Sequence, residues 1–142
     1  IQMLEETMRE GNFSVEYIRS LRTTMEHSFL LGNVPDVMAG IKKYGIMINV
    51  TPSHLARVPD VLEAYGEKAK SFTMPVKTWI EDGQRVTFEA NGSDFWTPIY
   101  TLMTRRIQKV GTEEWHELLP EEGIDRVTAL KMELISSMMY LV

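Results

Sequence analysis

The stretch Ile46-Met47-Ile48-Asn49-Val50-Thr51-Pro52-Ser53-His54 decides the fold. Residues 46–50 are apolar except for Asn49, so they lack the alternation of a half-exposed strand. A short apolar run of this kind is a strand covered on both faces. Pro52 breaks it at once, because proline has no N–H to give to a ladder. Working outward, residues 23–27 (Thr23-Thr24-Met25-Glu26-His27) and 86–90 (Val86-Thr87-Phe88-Glu89-Ala90) read as two further strands. Helical stretches separate them. Pro35 and Asp36 open a helix that Gly45 ends. Two more are expected at about 59–70 and 75–82. Outside the strands, amphipathic patterns at 1–10, 98–109 and from Asp125 to the C-terminus predict helices, with a further short piece at 15–22 and a polar connection from Gly111 to Gly123. The order helix–strand–helix–strand predicts an α/β fold: about three parallel strands, covered by helices and joined by right-handed crossovers.

Composition narrows the function. The chain has 142 residues, 44% hydrophobic and 25% charged, which is one ordinary globular domain. Fifteen basic against twenty acidic residues give a net charge of −5. No basic field is available to neutralise phosphates, so a nucleic-acid partner is not expected. No apolar run approaches the length of a membrane span. Without cysteine, disulfides and thiolate ligands are excluded. The opening Ile1-Gln2-Met3-Leu4-Glu5-Glu6 shows no basic n-region, so a cytoplasmic protein is expected. The start at Ile1 and the end at Tyr140-Leu141-Val142 read as part of something longer. Ten methionines are many, and core filling accounts for them.

In parallel α/β folds the carboxyl ends of the strands carry the chemistry. His27 and His54 lie at or just past two strand ends, and Asp94 just past the third. Two histidines and a carboxylate form an accepted zinc ligand set. Each of the three has an ordinary alternative as a hydrogen-bonded structural residue. His116, in the acidic stretch around Glu113, Glu114 and Glu117, reads as a surface or packing residue. Asn91-Gly92-Ser93 matches the glycosylation pattern without any sign of secretion, and Gly92 more simply permits a tight turn. Trp96, two residues past Asp94, is a candidate for a pocket mouth. No phosphate loop, HExxH or GxSxG is present, and the elbow that a serine hydrolase needs around Ser93 is absent.

The local sequences are also familiar as a set. Met25-Glu26-His27-Ser28 resembles the I-E-H-A segment of the metal-dependent amidohydrolase superfamily, in the branch of the N-substituted formamide deformylases. Residues 46–54 resemble that family's next strand with its P-x-H element. Residues 75–94 resemble a helix, a strand and G-S-D. Thr104-Arg105 resembles the following T-R, and residues 126–141 the R-x-x-A-L helix. The resemblance covers about residues 20–142 and implies the C-terminal part of a (β/α)8 TIM-type barrel, strands six to eight.

By that resemblance His27 would bind a divalent metal, zinc by preference, and Asp94 would both ligate it and act as acid and base. His54 would face a small-molecule substrate, joined by Trp96 on the strength of its position beside Asp94, and an amide or other C–N bond would be hydrolysed. The family's H-x-H, its bridging residue and its strand-five histidine have no counterpart here. The reading is therefore a single partial domain, 1–142, inactive alone and apt to associate with the missing remainder or with itself. The alternative is a small open-sheet α/β binding or interaction module without metal.

Overall fold

The computed structural model describes residues 1–90, 94 and 96–139. Helices α1 (Gln2–Gly11) and α2 (Val15–Ser20) precede strand β1 (Thr24–Met25). Helix α3 (Pro35–Tyr44) leads to β2 (Met47–Val50). A 3-10 turn (Pro52–Arg57), α4 (Val58–Tyr65), a second 3-10 turn (Glu67–Phe72) and α5 (Val76–Glu81) lead to β3 (Val86–Phe88). Helix α6 (Trp96–Thr104), a hairpin of β4 (Arg106–Gln108) and β5 (Trp115–Glu117), and α7 (Arg126–Met139) complete the chain.

The three strands form one parallel sheet in the order β1-β2-β3. All four residues of β2 are buried, as its apolar run requires. Ile48 and Val50 lie in the core with Phe88, Trp79, Leu55 and Leu102. Helix α7 packs on β3 and α6. Met38, Met47, Met74 and Met132 are buried, in keeping with core filling, whereas Met3 is exposed. This is an α/β fold with a three-stranded parallel sheet flanked by helices, consistent with part of a β/α barrel.

Local chemistry sets the boundaries. Pro35 occupies the first turn of α3, and Gly45 closes it in the left-handed region at φ 66°. The helix expected at 59–70 is two pieces. Gly66 has φ 77° and ψ 173°, a conformation essentially restricted to glycine, and the chain continues as a 3-10 turn.

The helix expected at 98–109 is shifted. It starts at Trp96 and stops at Thr104, because Arg105 takes φ 56° and turns its side chain inward. Within the supposed polar connection the chain forms the antiparallel β4–β5 hairpin, with Ile107 opposite His116. The His116 ring is half-buried there, a packing role. Asn91, Gly92 and Ser93, with their glycosylation pattern and turn, lie outside the described residues, as do Phe95 and 140–142.

Candidate functional site

Strand geometry builds the site. Past the last paired residues of the sheet, the main chain continues in step: Glu89 N donates to Val50 O (2.9 Å), and Ser28 N to Asn49 O (3.0 Å). That brings the residues just beyond β1, β2 and β3 together at the carboxyl end. His27 sits in the left-handed region at φ 53°, which tips its ring across the sheet end.

His27 Nδ1 lies 2.8 Å from Glu89 Oε1 and 3.0 Å from Thr51 Oγ1. The Thr51 hydroxyl donates to the same Glu89 oxygen at 2.6 Å. One carboxylate thus ties the ends of all three strands. An ionised carboxylate only accepts, so Nδ1 carries the ring proton toward Glu89, and Nε2 is left on the far side as an acceptor. Nε2 has no hydrogen-bond partner among the described residues, and the His27 side chain is 55% exposed. Such a carboxylate–imidazole pair can accept a proton from an incoming N–H or O–H group.

Beneath it a second layer holds the backbone. Buried Asn49 donates from Nδ2 to Glu26 Oε2 and accepts from Thr87 Oγ1 at 3.1 Å. His54, in the 3-10 turn that Pro52 opens, stacks on His27 with ring centroids 5.6 Å apart. Phe29 meets the His54 ring edge-on, with centroids 5.9 Å apart.

His54 is held below the ordinary 6.5 first by burial, then by the charges of His27 and Arg57, against an opposing pull from Glu89. The sign follows: as pH falls below 6.5 the unfolded chain takes up a proton here before the folded chain does. The contribution to stability is full above 6.5, falls below it, and levels off once the folded ring has titrated. His27→Gln removes one of the repulsions and should raise the His54 midpoint, read from ring-proton NMR across the pH range. An unchanged or lowered midpoint would mean the two rings do not interact.

The sequence expectations fare unevenly. His27 and His54 are brought together. Asp94 instead caps α6: Oδ1 accepts from the backbone N–H groups of Trp96 (2.8 Å) and Thr97 (2.9 Å), and Oδ2 from the Thr97 hydroxyl (2.5 Å). The Thr97 hydroxyl and these N–H groups hold its carboxyl below the ordinary 3.8. Asp125 makes the same three contacts at the start of α7, with Val127 and Thr128. These contacts give Asp94 a capping role at the start of α6. Trp96 is exposed and lines a different cleft, beside Tyr100 and Trp115.

Glu89 and Thr51 are the residues that sequence reading missed. Both lie one position past a strand end. Thr51 directly follows the strand expected at 46–50, whereas Glu89 falls inside the strand expected at 86–90 and is freed only because the paired segment stops at Phe88.

Among the described residues, no three His, Asp or Glu side chains are grouped so as to hold one metal ion. The donors among the described residues therefore do not make up a metal site by themselves.

Comparison with known proteins adds the fold. No family model matches the sequence. No curated protein matches it either. Among solved structures, the fold matches the crystal structure of an uncharacterized metal-dependent hydrolase from Pyrococcus furiosus, with a TM-score of 0.56 at 17% sequence identity. The match covers 85% of this chain but 24% of that protein, so the chain spans about a quarter of the structure it resembles. At such identity the likeness is one of fold. It agrees with a partial β/α-barrel arrangement and does not single out a branch of any family. No helix among the described residues is long and apolar enough to cross a membrane.

Proposed function

We propose that the chain is a small open-sheet α/β binding module that takes a polar ligand at the carboxyl end of its sheet, over His27 and His54, without a metal. The observation that supports this most is the Glu89–Thr51–His27 network, which fixes the His27 ring and turns Nε2 outward. A site held by the buried Thr51 and the half-buried Glu89, and offering one outward acceptor, suits a ligand that brings a hydrogen-bond donor. The stacked His54, whose charged form burial disfavours, supplies a flat wall.

A minimal amide, N-methylacetamide, is a suitable probe. Added to the intact chain, it should shift the ring resonances of His27 and His54 at concentrations that leave His116 unmoved. Equal shifts at all three rings would sink the reading.

The second reading keeps the hydrolase. One feature favours it: a metal-binding histidine commonly gives its other ring N–H to a carboxylate, as His27 faces Glu89. In that reading His27 and Asp94 would hold a divalent ion, zinc by preference. Asp94 would serve as acid and base, His54 and Trp96 would face an amide or related substrate, and further donors would have to come from outside the described residues.

Calorimetric titration of the intact chain with zinc separates the two readings. The binding-module reading expects no saturable one-to-one site and a monodisperse protein in sedimentation. A one-to-one site lost in both His27→Ala and Asp94→Asn, in a chain that self-associates, would establish the hydrolase fragment instead.

A further inference from the structure

Helix α6 and the β4–β5 hairpin enclose a cleft of about 320 Å³ that the His27 cluster does not use. Its walls are aromatic. Trp96 and Tyr100 stand one turn apart on α6, and Trp115 faces them from β5. The Tyr100 and Trp115 rings meet nearly at right angles, 80°, with centroids 6.4 Å apart, so they form two adjacent sides of a box. All three side chains are exposed, at 61%, 44% and 53% for Trp96, Tyr100 and Trp115. Gln108 and Thr97 contribute polar atoms at the margin, and the lining holds no lysine or arginine.

Ring faces carry negative quadrupole potential and attract cations, most strongly for tryptophan. The sequence around these rings has the matching sign. Asp94 stands at the start of α6, and Glu113, Glu114 and Glu117 flank Trp115. Against these four carboxylates stand Arg106, which is the register partner of Glu117, and Lys109. The Arg105 guanidinium is turned into the core. The whole chain adds its charge of −5.

We propose that this cleft binds a small quaternary ammonium ion, its methyl groups against Trp96, Tyr100 and Trp115. A neutral ring such as a sugar would also stack, but it would gain nothing from the surrounding carboxylates. An anion would be repelled.

The test uses the intact chain and its own tryptophan emission. Trp96 and Trp115 report, while Trp79 is buried elsewhere. Tetramethylammonium chloride, added at constant ionic strength, should give a saturable change that sodium chloride and glucose do not reproduce. Trp115→Ala should weaken the binding by about threefold, in line with the loss of one exposed cation–π face. Tyr100→Leu should weaken it as well, and Tyr100→Phe should retain it. If Trp115→Ala does not fold, as judged by circular dichroism, the two Tyr100 variants decide. A linear response, an equal response to glucose, or unchanged binding in Trp115→Ala or Tyr100→Leu would overturn the proposal.

Discussion

Arg105→Ala should destabilise the protein by about 3–5 kcal/mol, among the largest effects of any single change. Arg105 is fully buried. Its guanidinium donates from Nε to Leu118 O (2.9 Å), from Nη1 to Met74 O (3.0 Å) and from Nη2 to Thr73 O (3.1 Å). One side chain thus closes three main-chain carbonyls on two separate segments, tying the chain before α5 to the end of β5. Burial brings its pKa down to about 10, with Glu122 and Glu121 pulling the other way, so it remains charged at neutral pH. Because the folded value lies below that of an exposed arginine, the charge is itself a cost to folding, which the three carbonyls offset. Alanine would leave the carbonyls without donors and open a cavity. Lysine would recover little, since a compact ammonium cannot reproduce the planar fork. Urea unfolding monitored by circular dichroism should rank wild type above Lys, and Lys above Ala. A loss below about 1 kcal/mol for Arg105→Ala would mean that water replaces the guanidinium.

Trp79→Ala should cost about 3–5 kcal/mol as well, for a different reason. Trp79 is the largest wholly buried side chain and packs in the same core as Ile48, Val50 and Phe88. Its indole N–H donates to Gly32 O at 2.8 Å and so fastens the loop before α3 to α5. Truncation removes the largest block of core volume together with the partner of a buried carbonyl. Trp79→Phe keeps most of the packing and loses the hydrogen bond, so about 1–3 kcal/mol is expected. Thermal unfolding should place Phe between wild type and Ala. If Phe matches Ala, the hydrogen bond dominates and the volume argument is wrong.

The residues that gave the fold away were those whose local chemistry leaves little choice. Residues 46–50 are too apolar to lie on a surface, and Pro52 stops them. Pro35 and Gly45 punctuate α3. The parallel order followed from helices interposed between strands. What escaped depended on single backbone torsions or distant partners. Gly66 splits a helix that its apolar spacing would continue. Arg105 falls inside the helix expected at 98–109, yet it takes a left-handed torsion and fills the core. The hairpin was hidden because its alternation, Arg106-Ile107-Gln108 against Trp115-His116-Glu117, spans only three residues a side.

The site was legible in the same partial way. His27 and His54 stood out as two of the three histidines, and strand ends brought them together. Glu89 and Thr51 are common residue types whose meaning appears only when three strands are set in register. Asp94 drew attention by its position, and the Asp-x-x-Thr spacing it shares with Asp125 is that of a helix cap.

The central claim is that Glu89 holds His27 across the sheet end with Nδ1 inward and Nε2 free for a ligand. Long-range proton–nitrogen NMR of the histidine rings tests it most directly, in wild type and in Glu89→Gln, near pH 7.5. The account predicts a proton fixed on Nδ1 of His27 in wild type and a loss of that preference in Glu89→Gln. A proton on Nε2 in wild type, or a tautomer indifferent to Glu89, would contradict it.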